Sequence, residues 1–572
     1  MIFFLYLVII YRYYMENKDN FIYEISKEDQ TQMKTVESQQ WIFANDNSNS
    51  NYSSNQITFD LSSFYNTSSL IDWKSAYIQI PLVTVVDLTG AADLDINPNI
   101  FCLKNGYANI INSIQVECSN STVNQIANNL NYYTNFKIYT NKSKDWFETA
   151  GPSLGYYGLD SSNSWKYYNA TSNNGYGSTN NNNFLDNASL VGAGLNGFVP
   201  GNESMFHRTR SYLRQDDGSG NAYPTGSLNL LTKQNMNSMG MDYVDTPLPS
   251  PLKGTRKVYY NNAVIRLGDL AAIFDSLGLA RCYIRLIVNV NVGAVSYTCA
   301  AGVPTANVVS SFSYNTCPFM IAQQNALNNP MTNITAVSVR MGIVRALAND
   351  NTSYVHNFTA ARIYAPQVLL NPEKEKIYRM NNSQKMLVWN DVFSTSLLEQ
   401  PAGGQVNYVI SNGLSNLVGV LAVPMISASV NKGGFTGFSP ALSPWASEPS
   451  TTSPLMSLYN YNIYCGGKAL LPSNLIFNFN TFNDQFLGVN ALNGGGFVSG
   501  DLCSGSIDFN KWSNNYRYYY LDAERRNEAD NSPKSISVQF TNNNAVPIDI
   551  FFFCIFKRSG MMDIVSGQLQ ML

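Results

Sequence analysis

The sequence predicts an all-β protein built from two β-rich halves. Runs of β-forming residues recur from Ile57 to the end, each bounded by Asn, Ser, Gly or Asp. Helical periodicity is rare and short, and strands do not alternate with helices, which argues against a parallel α/β sheet. At 572 residues the chain is too long for one ordinary core and fits two to four domains, or two large β domains. Its 45% apolar content suffices for a packed interior and excludes global disorder.

The chain opens on "MIFFLYLVII", an apolar run of about ten residues, too short to cross a bilayer as a helix. It lacks a preceding basic region and a following cleavage site, so it makes a poor signal peptide. A start at Met15, or a small appended anchor, is the expectation. Residues 1–54 are expected to be a flexible arm ending in the Ser- and Asn-rich stretch Ser48–Asn55. Ile57, Phe59 and Leu61 then alternate with Thr58, Asp60 and Ser62, the pattern of a half-buried strand. "SAYIQIPLVTVV" and "NIINSIQVEC" follow as strands. Val123, Ile126, Leu130 and Tyr133 predict a helix over 121–140. Residues 145–250 lose periodicity and hold many Gly, Asn and Tyr residues, the composition of a long exposed insertion.

Order returns at Val258. Asp269 is expected to cap a short helix that Gly278 closes. A strand follows, with Ile284, Leu286, Val288 and Val290 inward and Tyr283, Arg285, Asn289 and Asn291 outward. The second β-rich half is expected over 331–572, from "ITAVSVRMGIVRAL" to "PIDIFFFCIFKRSGMMDIVSG". Evenly spaced strands of this kind indicate sandwiches or barrels.

Charged residues make up 13% of the chain, against roughly 25% in ordinary soluble domains. Asn, Ser and Tyr take their place, so much of the surface is expected to be polar and uncharged. Interface cores are depleted in charge and enriched in aromatics, so such a surface suits a subunit covered by neighbours. Net charge is −3, with no basic tail or block, which argues against direct nucleic-acid binding.

No catalytic, cofactor or metal site is predicted. His207 and His356, the two histidines, lie far apart without ligand spacing. No GxSxG elbow is present, and "NGGGF" and "NKGGF" lack the GK[ST] ending of a phosphate loop. Glu373 and Glu375 read as a solvated turn. Asp216 and Asp217 lack the remaining ligands of an EF-hand. The eight cysteines form no CxxC. Cys282 and Cys554 read as buried small hydrophobes, and Cys299 and Cys317 flank a loop across which they could pair. Asn169, Asn187, Asn202 and Asn357 stand in sequons, which at this Asn content arise by chance.

At "NQITFDLSSFYNTSSLIDWKSAYIQIP", "GPSLGYYG", "VIRLGDLAAIFDSLGLARCYIRLIVNVN", "ARIYAPQVLLNPEKEKIYR", "WNDVF" and "IDIFFFCIFKRSGMMDIVSGQL" the sequence resembles major capsid proteins of polinton-like viruses and virophages, the double jelly-roll lineage that includes tectiviruses and adenoviruses. The likeness runs from about Asn55 to the end and rests on the order and spacing of these segments. It implies two fused eight-stranded antiparallel jelly rolls, with short helices and long loop insertions. The rolls would span 55–330, carrying the 145–250 insertion, and 331–572. It also implies a homotrimeric, pseudo-hexameric capsomer that tiles the icosahedral virion shell of a small double-stranded DNA virus. Penton and minor capsid proteins would be further partners, and assembly would take place in the host cytoplasm or nucleus. The rival expectations are a secreted β-sandwich adhesin or carbohydrate-binding protein, with Trp165, Tyr167 and Tyr168 stacking on sugar, and a β-rich glycosidase. The glycosidase has no carboxylate pair to nominate.

Overall fold

A computed structural model describes residues 35–47, 52, 55–66, 69–90, 101–119, 121–158, 242–247, 254–298, 305–310, 315, 318–321, 334–343, 360–381, 383–427, 454, 456–472, 477–486, 507–514, 516–524 and 532–572. The first group of elements runs β1 (Val36–Asn45), β2 (Gln56–Asp60), β3 (Leu70–Asp72), β4 (Tyr77–Gly90), β5 (Ile111–Cys118), α1 (Leu130–Asn141), β6 (Asp242–Pro247), β7 (Gly254–Arg266), α2 (Ile273–Leu277), β8 (Ile284–Val290), β9 (Gly293–Thr298), β10 (Ile334–Ile343) and β11 (Arg362–Leu370).

β8 lies between β2 and β5, antiparallel to both, with Val288 opposite Ile57 on one side and Ile114 on the other. The alternation read from sequence is realised here. Ile57, Phe59, Ile284, Leu286, Val288 and Val290 are all buried in one continuous core. A larger sheet supplies Ile78, Ile80 and Leu82 to the same core. In that sheet β4 runs antiparallel to β7 along its length, from Tyr77 opposite Arg266 to Thr89 opposite Gly254. β6 follows β7, and the other edge of β4 is shared by β10 and β11.

Helix α3 (Pro372–Asn381) leads to the second group: β12 (Gln384–Gln400), β13 (Gln405–Leu414), β14 (Leu417–Ile426), β15 (Leu458–Cys465), β16 (Lys468–Ala469), α4 (Phe479–Phe486), β17 (Tyr519–Asp522), β18 (Lys534–Asn542), β19 (Ile548–Asp563) and β20 (Leu569–Met571). One sheet is ordered β12-β19-β14-β17 and the other β13-β18-β15-β16. By rank within this half, the orders are first, eighth, third, sixth and second, seventh, fourth, fifth. The first half repeats these neighbours in part, as β2-β8-β5 and β4-β7-β6. The arrangement is two β-sheet domains of jelly-roll-like order, with helices between strands. β19 explains the run "IDIFFFCIF": Ile548 to Phe556 are buried without alternation, because this central strand is covered on both faces.

Several expectations are corrected. Residues 36–45 are not a loose arm but strand β1, paired along β11 from Val36 opposite Leu370 to Asn45 opposite Arg362. Within the Ser/Asn lead-in, Tyr52 is fully buried, its hydroxyl donating to Asp46 Oδ1 at 2.8 Å and accepting from the Ala361 N–H at 2.8 Å. β10 and β11, assigned by sequence to the second half, pair with the first sheet, so the chain crosses between halves at α3 and not at residue 331. α1 starts at Leu130, not 121. Asn124 holds the preceding segment extended by accepting from Val116 N and donating to Ile114 O, and Ile126 is left exposed. Asp269 does not cap: the helix at Ile273 has Ala272 at its N-cap, and Asp269 pairs with Arg266 at 3.6 Å. Gly278, at φ +55°, does close that helix. Glu373 and Glu375 lie in α3 and not in a turn, with Glu375 accepting from Arg379 one helical turn on. Asn291 points inward, donating to Asn109 O.

Asn291 belongs to a wider pattern. Asn105, Asn109, Asn124, Asn135, Asn462 and Asn542 are buried or form buried hydrogen bonds to backbone groups of strands and turns. Part of the high asparagine content is therefore internal, satisfying backbone groups where strands end, and not surface polarity.

Candidate functional site: the seam between the two halves

The first half meets the second through the side chains of α1, "LNYYTNFKIYTN", and through α2 packed on β12. A helix in an all-β neighbourhood normally exposes one side, yet nearly all of α1 is buried. Its aromatic side chains form a row against the second half. Tyr132 lies 5.0 Å from Phe551 and Tyr133 6.2 Å from Phe553, ring centre to ring centre, so both meet the outward residues of β19. Phe136 sits among Tyr518 at 5.1 Å, Tyr520 at 5.7 Å and Phe486 at 6.1 Å. Tyr139 meets Tyr516 edge-on at 5.6 Å. Tilted and edge-on pairs at these spacings add to the burial energy and fix side-chain orientation. Burial pushes the phenols of Tyr156 and Tyr518 well above the ordinary tyrosine range, so both stay neutral. Toward its own half, α1 also makes polar contacts. Asn135 donates to Asn109 Oδ1 at 2.9 Å, and the Tyr156 hydroxyl donates to Asn135 Oδ1 at 3.1 Å.

Beside α1, β12 adds directional bonds. The Trp389 indole N–H donates to Val123 O at 3.2 Å. Asp391 accepts from the Gln125 N–H at 2.7 Å and from its neighbour Val392 N–H at 2.8 Å, and forms an ion pair with Arg558, Nε to Oδ2 3.3 Å. Gln125 belongs to the first half and Arg558 to the second, so one carboxyl ties the two together. Burial raises Asp391 to about 6, prevailing over the two backbone donors and Arg558, which pull it down. The same carboxylate, after burial, raises the neighbouring Tyr133 phenol. Asp391, Tyr133, Lys137, Asp269, Asn124 and Trp389 line a small cleft at this point.

Two further contacts close the seam. Against α2, Ser276 Oγ donates to Val388 O at 2.7 Å and Lys385 Nζ to Leu277 O at 3.2 Å. The C-terminal turn docks on the first half, with Ser119 Oγ donating to Gly567 O at 2.8 Å and the Tyr65 hydroxyl to Ser566 O at 3.2 Å. Gly567 has φ +68°, and a Cβ there would collide with the Arg281 carbonyl oxygen. Replacing Gly567 by alanine is expected to destabilise the docked turn by about 1–3 kcal/mol. Amide hydrogen exchange at residues 564–572 should accelerate roughly tenfold or more, the kinetic equivalent of that loss.

The arrangement ties the two halves together. Among the described residues no group of three or more His, Cys, Asp or Glu side chains converges as metal ligands. Cys118, Cys282, Cys465 and Cys554 are buried free thiols, and burial raises Cys554 and Cys282. His207, His356, Asp216, Asp217, Cys299, Cys317, Trp165, Tyr167, Tyr168, the four sequons, the apolar start and most of 145–250 lie outside the described residues. No described helix is long and apolar enough to cross a membrane. The seam itself was not anticipated from sequence. Two signals pointed to it: aromatics on more than one face of α1, and the two-sided apolar run of β19.

No protein-family model matches the sequence, and no curated protein matches it either. Solved structures do match. A chain from the cryo-EM structure of the Sputnik virophage aligns at TM-score 0.50 and 10% identity, covering 95% of this chain and 90% of that one. The mavirus major capsid protein aligns at TM-score 0.41 and 10% identity, covering 95% and 92%. The Faustovirus major capsid protein aligns at TM-score 0.41 and 8% identity, covering 96% and 98%. The Sputnik alignment spans both halves, and with the strand orders above it gives a double jelly-roll-like fold.

Proposed function

We propose that this chain is the major capsid protein of a small double-stranded DNA virus and has no catalytic role. In this reading each half is an eight-stranded jelly roll, and the rolls divide at α3. Three copies form a pseudo-hexameric capsomer, and capsomers tile an icosahedral shell. The observation that carries the reading is that the first-eighth-third and second-seventh-fourth neighbours of the second half are matched in part in the first, where β8 lies between β2 and β5 and β7 between β4 and β6. Two rolls per chain would give a three-fold ring six similar units, with α1 packed between the two rolls of each chain. Residues 145–250 and the glycine-rich segments near 430–510 would then be outward loops. Low charge fits the role, since a subunit covered on several sides would otherwise strand desolvated ions.

Sedimentation of the purified protein is expected to give a trimer, and negative-stain microscopy of concentrated material to give three-fold plates or hollow icosahedra. A monomer that forms no particles and binds immobilised glycans would instead support the adhesin.

A further inference from the structure

The outer face of the large sheet carries an aromatic strip that the described residues of the first half leave partly exposed. Cross-strand pairing puts Phe43, Tyr364 and Tyr77 in one row, with Asn45, Arg362 and Gln79 in the next. Tyr77 stacks on Tyr364 at 5.2 Å, Trp41 lies 5.6 Å from Tyr77, and Phe43 lies 5.8 Å from Tyr364. The Arg362 guanidinium sits 4.9 Å from the Phe43 ring centre. Trp41 is 55% exposed and Phe43 52%. Arg362 bonds to Asn45 Oδ1 and the Tyr364 hydroxyl, and no described carboxylate pairs with it. β1, which carries Trp41 and Phe43, pairs only with β11 among the described strands. A lone protein blunts such an edge with lysine or proline. β1, "VESQQWIFAN", has neither, and its one charge, Glu37, falls at a bulge.

Resting on the assembly reading above, we propose that this strip is the surface on which a second copy of the chain docks, through the outer face of its β13-β18-β15 sheet. Trp, Tyr and Arg in contact, with lysine absent, is the composition of an interface core. The commitment to a second copy comes from the chain's own complementary surface. On β13, β18 and β15 the outward residues include Asn407, Val409, Ser537, Gln539, Tyr459 and Tyr464. Val409 stands opposite Ser537 and Asn407 opposite Gln539, and Val409 and Tyr459 are exposed. None of the six is a Lys, Arg, Asp or Glu. Arg362 would meet amide and hydroxyl acceptors there, and no carboxylate would be stranded. A closed ring of identical chains needs two different surfaces that fit each other, and neither the ring row of the strip nor these six outward residues brings a carboxylate to the contact.

The test uses the full chain with the photoreactive residue benzoylphenylalanine in place of Phe43. Irradiating the trimer is expected to link that position to residues 405–411, 458–465 or 535–541 of another copy, read by mass spectrometry. In parallel, the Trp41→Glu/Phe43→Glu variant is expected to lose trimer affinity by at least roughly a hundredfold, with its circular dichroism unchanged. A link to residues 1–34 of the same chain, to other surfaces of a second copy, or to nothing would overturn the proposal. So would persistence of the trimer in the variant. In either case a wild-type trimer would leave the capsid reading standing. A wild-type protein that never trimerises would overturn both. If the double variant misfolds, the photolink alone decides.

Discussion

Replacing Phe136 by alanine is expected to be among the most damaging single changes in the chain, at about 3–5 kcal/mol. The residue is fully buried, and its ring touches Phe486, Tyr518 and Tyr520, three side chains of the other half. Truncation removes the transfer energy of the ring and leaves a cavity walled by aromatics. Those aromatics are themselves held by further rings, such as Phe482 against Phe486, and cannot collapse inward freely. The location makes the consequence specific. A cavity in the core of one half would weaken that half alone, whereas a cavity at α1 uncouples the two. Calorimetry is expected to show one cooperative transition in the wild type and two in Phe136→Ala, with the trimer lost before either half unfolds. Phe136→Leu, which keeps most of the volume, should lose less than half as much stability. A single unshifted transition in Phe136→Ala would mean that α1 does not carry the coupling between halves.

Strand identity was legible where one face is buried and the other wet. Ile57/Phe59 and Ile284/Leu286/Val288 alternate and proved buried as alternation demands. The signal weakened where both faces are covered. β19 reads as one apolar run, and nothing local says what covers its second face; that is decided by α1, more than 400 positions earlier in the chain. Partition between halves was illegible for a related reason. β10 and β11 follow a stretch rich in Ser, Thr and Asn that carries Pro304, Pro318 and Pro330 and reads as a boundary, but strand pairing is set by side-chain complementarity across the sheet and not by distance along the chain. α1 was placed about nine residues early because Asn124 competes for strand backbone groups, an effect that helical periodicity does not register. Low charge was read as surface character. The structure divides it between interior asparagines and an outer aromatic strip, two roles that composition alone merges.

The second large effect concerns Asp391. Its carboxyl is only 5% exposed and is raised to about 6, above the 3.8 of a free aspartate, chiefly by burial. A carboxyl raised in the folded state contributes stability that is fully present below the unfolded value and is lost as pH rises through the folded one. Lowering the pH from 7 to 4 is therefore expected to strengthen the seam through this group by about 2 kcal/mol, most of a shift of roughly two pK units at 1.36 kcal/mol each. Other carboxylates titrate in the same interval, so the contribution is read as a difference against Asp391→Asn. Asparagine carries no titrating charge, and it keeps one acceptor for the Gln125 or Val392 N–H while turning its amide group toward the other. Stability of wild type relative to Asp391→Asn should accordingly rise toward acid. Asp391→Ala leaves both N–H groups without this acceptor and removes the ion pair with Arg558 as well, an expected loss of about 2–5 kcal/mol at pH 7. Urea unfolding at half-unit steps between pH 4 and 8 separates the cases. Parallel profiles for wild type and Asp391→Asn would show that Arg558 and the two N–H donors keep the carboxylate ionised throughout. A converging pair of profiles, with the wild type gaining below pH 6, would make the seam tighter in mild acid than at neutrality, because protonation relieves a buried charge at the point where the two halves are tied.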